Sequence, residues 1–361
     1  MKVEILEQGT VSRLTDTAYH YQGWPTVCKD ENGTLYVASS GCRLGHLCTF
    51  GKNLFTKSVD GGKTWSTPRV INDTLMDDRD AGLVYMGNGK IIMTYFNNPP
   101  SLYFDNPDWI DRYAKTEELR RVALDHFDEW RRLDTSEYDV GAFLKISYDY
   151  GKTWSESYRT PISAPHGPIM RSDGSLLYVG RRFGNDDYGH TISAYESFDD
   201  GRTWSFLSDI EPPIGCENNI NEAHALEFPD GSILGVVRGD GPPVPYNFSV
   251  FTCWSYDGGK TWTRLEPTDI CGAPPHLLRL DDGTVVMAYG RRRPPYGEYV
   301  SLSEDGGKTF GEGILLREHV NWDMGYPSSV TMPDGSIMTV YYQSLEGDDY
   351  DSILFTRWRL V

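Results

Sequence analysis

Residues 58–65 read SVDGGKTW, and close variants of these eight letters return as SYDYGKTW from Ser147, SFDDGRTW from Ser197, SYDGGKTW from Ser255 and SEDGGKTF from Ser303. An Asp that accepts backbone N–H bonds, a Gly in a conformation denied to other residues, and a Trp or Phe that packs between sheets together describe a turn. Small-ligand sites are few per protein, so one ligand site repeated five times is the weaker reading. The repeat is scaffold.

Between the boxes runs a second periodic signal, a turn pair followed by alternating apolar residues. It appears as ENGTLYVAS from Glu31, GNGKIIMTY from Gly87, SDGSLLYVG from Ser172, PDGSILGVV from Pro229, DDGTVVMAY from Asp281 and PDGSIMTVY from Pro333. Asn-Gly and Asp-Gly between β-branched runs predict hairpins in which both turn residues take positive φ. Most of these turns are about 52 to 57 residues apart, the length of one four-stranded propeller blade with its loops. Six units predict an all-β, six-bladed β-propeller spanning residues 1–361 as one domain. In each blade the box joins the third strand to the fourth. The sixth unit has no box, so ILFTRWRLV at the C-terminus is expected to pair with the N-terminal KVEILEQGTV and close the ring.

One interval is longer, from Gly89 to Gly174, and its surplus lies at about residues 98–140 in blade two. There TEELRRVALDHFDEWRRL carries apolar residues at helical spacing, with Glu at its start and Arg at its end. A helical insertion is expected, either as a wall of a pocket or as a contact between copies in a homo-oligomer.

The formal net charge of −18 and isoelectric point near 4.8 disfavour nucleic acid and anionic membrane surfaces as partners. No apolar run approaches the roughly 18 residues of a membrane span, and MKVEILEQGT lacks the features of a signal peptide. A cytoplasmic protein is expected, secreted only if a leader has been removed. The six cysteines show no CxxC pair and are too sparse for a disulfide framework. Cys42, His46 and Cys48 lie within seven residues, a spacing that admits a metal but is better read as a loop with buried thiols.

If all the turns above lie on one face, the starts of inner strands and the ends of second strands share the other. Inner strands begin near Trp24, Arg79-Asp80, His166, Glu222-His224, His276 and Tyr326. Second strands end near Arg43-His46, Asn97-Asn98, Arg181-Arg182, Arg238-Asp240, Arg291-Arg293 and Gln343. Arginines recurring at equivalent positions around one channel suit a carboxylate, which a guanidinium holds with two parallel hydrogen bonds. One arginine from each cluster, such as Arg182, Arg238 or Arg292, is therefore a candidate substrate ligand, and so is His276 at the start of its inner strand. Trp24, Trp322 and Tyr296 are candidate stacking surfaces.

The boxes resemble the Asp-box (BNR) repeats of the sialidase/neuraminidase superfamily, and the likeness runs over essentially the whole chain. Asp boxes speak for the fold more than for chemistry, because non-catalytic propellers carry them too. The resemblance implies three arginines holding a substrate carboxylate and a Tyr nucleophile activated by a Glu. GYPSSVTMPDGSIMTVYY resembles the segment of the family's nucleophile and points to Tyr326. ENNINEAHALEFPDGSILGVVR points likewise to Glu222 as base and Arg238 as ligand, and PPHLLRLDDGTVVMAYGRRR to one of Arg291, Arg292 and Arg293.

Two departures stand out. Where the family has its first arginine this chain has YQGWP, and where it has its acid/base Asp the segment SSGCRLGHLCTFGKN contains none. Arg43 is expected to replace the guanidinium. Asp80 or His46 would supply the proton, Asp80 being preferred because glycosidases generally use a carboxylic acid whose pKa burial can raise. The reading is an exo-glycoside hydrolase releasing a terminal anionic sugar, sialic acid or a related sugar acid, with no metal or organic cofactor required. Its alternatives are a non-catalytic carbohydrate-binding propeller and a lyase acting on a uronate glycoside.

Overall fold

The computed structural model describes residues 2–104, 107–134, 138–182, 191–216, 219–240 and 248–361. Its strands form six antiparallel sheets in one ring. Blade one comprises Tyr21–Lys29, Leu35–Arg43, Lys52–Ser58 and Arg69–Asn72, and blade two Asp77–Tyr85, Ile91–Asn98, Ala142–Ser147 and Tyr158–Thr160. In blade three the inner strand is broken into Ile162–Ser163 and Ile169–Met170, which both pair with Leu176–Arg182, followed by Ile192–Ser197 and Ser205–Ile210. Blade four runs through Ile220–Glu227, Ile233–Gly239, Ser249–Ser255 and Glu266–Cys271. Blade five follows with His276–Arg279, Val285–Arg291, Gly297–Ser303 and Ile314–Glu318. Blade six is Gly325–Thr331, Ile337–Ser344 and Asp351–Leu360, completed by Val3–Ser12 from the other end of the chain. The two ends pair as the missing sixth box predicts.

All five boxes fold alike. In the first, Ser58 Oγ donates to Asp60 Oδ1 at 2.8 Å, Oδ1 accepts the Thr64 N–H at 3.0 Å, and Oδ2 accepts the Thr64 hydroxyl at 2.6 Å. The same bonds recur at Asp149, Asp199, Asp257 and Asp305. The box aromatics pack between sheets, as Trp154 does edge-on to Phe55 of the preceding blade at 5.3 Å.

The hairpin turns differ from the expectation in one respect. Each glycine has positive φ, but of the residues before them only Asn88 does. The loops hold three residues rather than two: Arg171 N–H donates to Ser175 O at 2.8 Å and Gly174 N–H back to Arg171 O at 2.9 Å. A left-handed Gly closing a three-residue loop needs no second positive φ. Asp173 instead spends its carboxylate on the Ser175 N–H, 2.9 Å away.

The core lies between neighbouring blades. Leu177 and Val179 of blade three pack with Ile233 and Val237 of blade four, and Leu234 and Val236 of blade four with Leu277 and Val285 of blade five. Each such side chain contributes about 1.5–3 kcal/mol by leaving water. The ring therefore holds its inner strands rigidly around the channel.

The insertion is helical, with Pro107–Tyr113 and Glu117–Arg132, the second helix capped by Thr116 accepting the Leu119 N–H at 3.2 Å. Its apolar face packs Trp109, Ile110, Ala123 and Phe127 against Leu44 and Cys48 of blade one. It forms a wall beside the channel mouth.

Candidate active site

A strand normally alternates its side chains between two faces. Four inner strands break that rule at the same level of the ring. Trp24, Asp80, Glu222 and Tyr326 have φ of 53°, 49°, 20° and 53°, and each falls where the pairing register shifts. These are β-bulges, which re-aim a side chain at the expense of one ladder position. A non-glycine residue held there costs about 1–3 kcal/mol. Four of them are a sizeable part of a net stability of about 5–15 kcal/mol, and such strain gathers at functional sites.

The bulges bring chemistry together. The Tyr326 hydroxyl donates to Glu222 Oε1, and Glu222 Oε2 accepts from Arg238 Nη1 at 2.7 Å. Arg238 Nε donates to Asp240 at 2.9 Å. Burial opposes the Glu222 charge, but the Arg238 guanidinium and the Tyr326 hydroxyl outweigh it and hold the carboxyl below its ordinary range. Burial, with the charges of Glu222 and Asp80, pushes the phenol of Tyr326 well above its ordinary value despite Arg238 and Arg292. At neutral pH the pair is thus a protonated phenol on an ionised carboxylate.

Arg292 lies beside this pair, its guanidinium carbon 5.2 Å from the Tyr326 ring centre. Its Nε donates to Met324 O at 2.8 Å and its Nη2 to the Tyr342 hydroxyl at 2.6 Å. Among the described residues Nη1 has no protein acceptor, nor does Nη2 of Arg238. Asp80 is only 6% exposed, and its Oδ1 is buried with no described partner. Burial first, then the nearby Glu222 charge, raise its pKa to about 7 against the pull of Arg79 and Arg43. A carboxyl so placed carries a transferable proton at neutral pH.

On the other side Asp323 Oδ1 meets His46 Nδ1 at 2.8 Å and accepts the hydroxyls of Tyr21 and Tyr342, both at 3.1 Å. Burial lowers the His46 pKa even though Asp323 opposes the shift, so the imidazole is neutral near pH 7. Asp323 thereby orients both His46 and, through Tyr342, Arg292.

A profile of the BNR repeat-like domain matches residues 245–339. A sialidase of Bacteroides fragilis (strain YCH46) is 25% identical over 317 residues, covering 80% of this chain and 53% of that protein. The chain is thus similar to sialidases in sequence and shares their propeller fold. It spans about half the length of that B. fragilis relative. Among solved structures, a protein of unknown function from Dyadobacter fermentans superposes with a TM-score of 0.76 at 22% identity over 99% of both chains. The intramolecular trans-sialidase of Ruminococcus gnavus gives 0.63 at 16% identity over 98% of this chain and 97% of its own.

Within this propeller the candidate residues divide. Tyr326, Glu222, Arg238, Arg292 and Asp80 converge, and His46 stands at their edge with its ring 5.1 Å from that of Trp24. Four expectations need correction. Arg43 is fully buried and gives both η nitrogens to Asp77, so it has no hand left for a ligand. Trp24 is 1% exposed and lies under Arg79, 4.2 Å from ring centre to guanidinium carbon, so it is a platform for an arginine and not for a sugar. Arg182 turns to its own blade's outer strand and pairs with Asp209 at 2.6 Å, whereas Arg181 reaches Asn221 beside Glu222. His276 is buried in a stack with His224, 4.5 Å between ring centres, and touches His166.

The cysteine loop likewise disperses its groups. His46 faces Asp323, while Cys48 Sγ accepts the N–H groups of Leu44 and Phe50 at 3.3 and 3.4 Å. Asp323, Tyr342, Tyr21 and Arg79 were not singled out as site residues from the sequence. Arg79 was visible beside Asp80, but strand alternation would send one of the two away from the channel; the bulge turns both towards it.

Proposed function

We propose that this protein is a glycoside hydrolase of the sialidase type that releases a terminal anionic sugar. The observation that carries the proposal is the Tyr326 hydroxyl seated on an Arg238-held Glu222 carboxylate. Glu222 accepts the phenol proton as Tyr326 Oη attacks the anomeric carbon, and Asp80 gives its proton to the departing glycosidic oxygen. A water then attacks the glycosyl-tyrosine, Asp80 takes a proton from it, and Tyr326 leaves with its proton returned. Arg238 and Arg292 present η nitrogens without an acceptor among the described residues to the sugar carboxylate, beside the bond that breaks.

The test is release of a fluorophore from α-ketosides of N-acetylneuraminic acid and of its deaminated analogue. Tyr326→Phe should lose about 10³-fold or more of the wild-type rate, since it removes the nucleophile. Full activity in the variant rejects the nucleophile. Binding of these sugars with no release of fluorophore or of an unsaturated product marks a carbohydrate-binding propeller instead.

A further inference from the structure

The sialidase-like reading leaves a vacancy on blade one, where YQGWP carries no arginine and Arg43 is bound up with Asp77. We propose that Arg79 fills it as a third ligand of the substrate carboxylate, and that the helical insertion holds Arg79 in place through Tyr103 and Asp77. The inference rests on the anionic-glycone reading above. Arg79 lies over Trp24, and its Nη1 donates to His46 O at 3.3 Å and to Asp77 Oδ2 at 3.4 Å. Its Nε and Nη2 donate to no acceptor among the described residues. The Tyr326 and Asp80 side chains are close enough to act on its charge.

Charge counting points the same way. Arg238 stands between two carboxylates, Glu222 and Asp240. Arg43 and Arg79 share only Asp77, which is fully buried, and Asp80 beside them is protonated up to about pH 7. Of the groups in direct contact, two guanidiniums thus face one carboxylate in a nearly dry cluster. A buried charge without a counter-ion is costly, and a ligand carboxylate supplies one.

Asp77 Oδ2 also accepts the Tyr103 hydroxyl at 2.5 Å. Tyr103 ends the turn Pro100–Tyr103 of the insertion and packs on Trp109, ring centres 5.6 Å apart, whose indole N–H donates to Leu47 O. The insertion's own core therefore fixes the hydroxyl that orients Asp77, and Asp77 orients Arg79. Arg79 is a ligand in this scheme; Asp77 and Tyr103 are positioning residues.

The experiment is calorimetric titration of wild type, Arg79→Met and Tyr103→Phe with N-acetylneuraminic acid, its deaminated analogue and the methyl esters of both. Arg79→Met should weaken the free acids by about 10- to 100-fold, one charge-assisted contact, and the esters far less. Tyr103→Phe keeps the ring and should weaken the acids by about 3- to 10-fold in the same direction. On a glycoside that is turned over, Tyr103→Phe raises KM with kcat little changed, a split that a merely structural tyrosine would not produce. An unchanged acid-to-ester ratio in Arg79→Met overturns the proposal while leaving the glycosidase reading intact. If wild type binds neither acid nor ester, that reading falls and the ligand role of Arg79 with it. A crystal structure of Tyr103→Phe then decides the positioning half: Arg79 displaced from Trp24 supports it, and Arg79 unmoved overturns it.

Discussion

Asp60 and Asp80 sit at opposite ends of the same propeller and have opposite acid strengths. Asp60, exposed in the first box, is held at about 2 by the Thr64 hydroxyl and N–H and by Ser58. Asp80, buried at a bulge with one oxygen that has no partner among the described residues, is raised to about 7. Neither shift comes from the residue type. Hydrogen bonds given to a carboxylate favour its charge, and removal from water without such bonds favours its proton. The box face therefore uses aspartate to hold a turn, and the channel face uses it to keep a proton available.

The largest expected effect breaks this contrast at the reacting end. Asp80→Asn removes the acid and should lower kcat/KM on an unactivated glycoside by about 10²- to 10⁴-fold. The loss should be smaller on a substrate whose leaving group needs no proton. In the wild type, activity should fall as pH rises through about 7, where Asp80 loses its proton. It should fall again in acid, below the ordinary carboxylate range, once Glu222 is protonated. The alkaline limb should vanish in Asp80→Asn, and a pH–rate profile in which it persists unchanged assigns the acid elsewhere.

A second effect has the opposite sign. The folded pKa of Asp80 lies above its unfolded value near 4, so the folded chain keeps a proton that the unfolded chain has lost between about pH 4 and 7. Its contribution is fully favourable below pH 4 and is lost as pH rises to 7. Asp80→Asn should therefore be more stable than wild type by roughly 2–4 kcal/mol at pH 8, the gap closing towards pH 4. Denaturant titrations at the two pH values measure it, and equal stabilities at pH 8 would show that Asp80 is ionised without strain.

The smallest effect lies at the box end. Asp199→Ala removes the acceptor of the Thr203 N–H and hydroxyl and of Ser197, and should lower the melting temperature by a few degrees with kcat/KM unchanged at 25 °C. The boxes' own pH dependence runs towards acid. Asp60, Asp149 and Asp305 are held at about 2, below the unfolded value near 4, so their stabilisation is present above pH 4 and lost as pH falls from 4 towards 2. A change in rate from Asp199→Ala would mean that the two faces are coupled.

How legible each face was in the sequence follows from the range of the interactions that make it. Ser58, Asp60, Gly62 and Thr64 satisfy one another within seven residues, so the letters contain the whole turn. The hairpins were legible for the same reason, though their glycines close three-residue loops. Tyr326 and Glu222 were legible as residues of the channel mouth because they begin inner strands, yet they are 104 residues apart and no local pattern says that their side chains touch. Arg43 and Arg79 were misjudged in opposite senses. Both depend on Asp77, which is only two residues from Arg79 but 34 from Arg43, so the bond that ties up Arg43 crosses from blade one to blade two.

The sequence by itself determined the number of blades, the pairing of the two chain ends, the site of the insertion and the face on which arginines, Tyr326 and Glu222 collect. These follow from turn chemistry and periodicity, which act between near neighbours. Only the tertiary structure decided that Trp24 supports an arginine, that Arg182 and His276 turn away, that Asp80 is desolvated and that Asp323 organises His46 and Tyr342. A side chain's aim at a bulge, and the water it loses there, are set by the blades beside it and by the insertion wall.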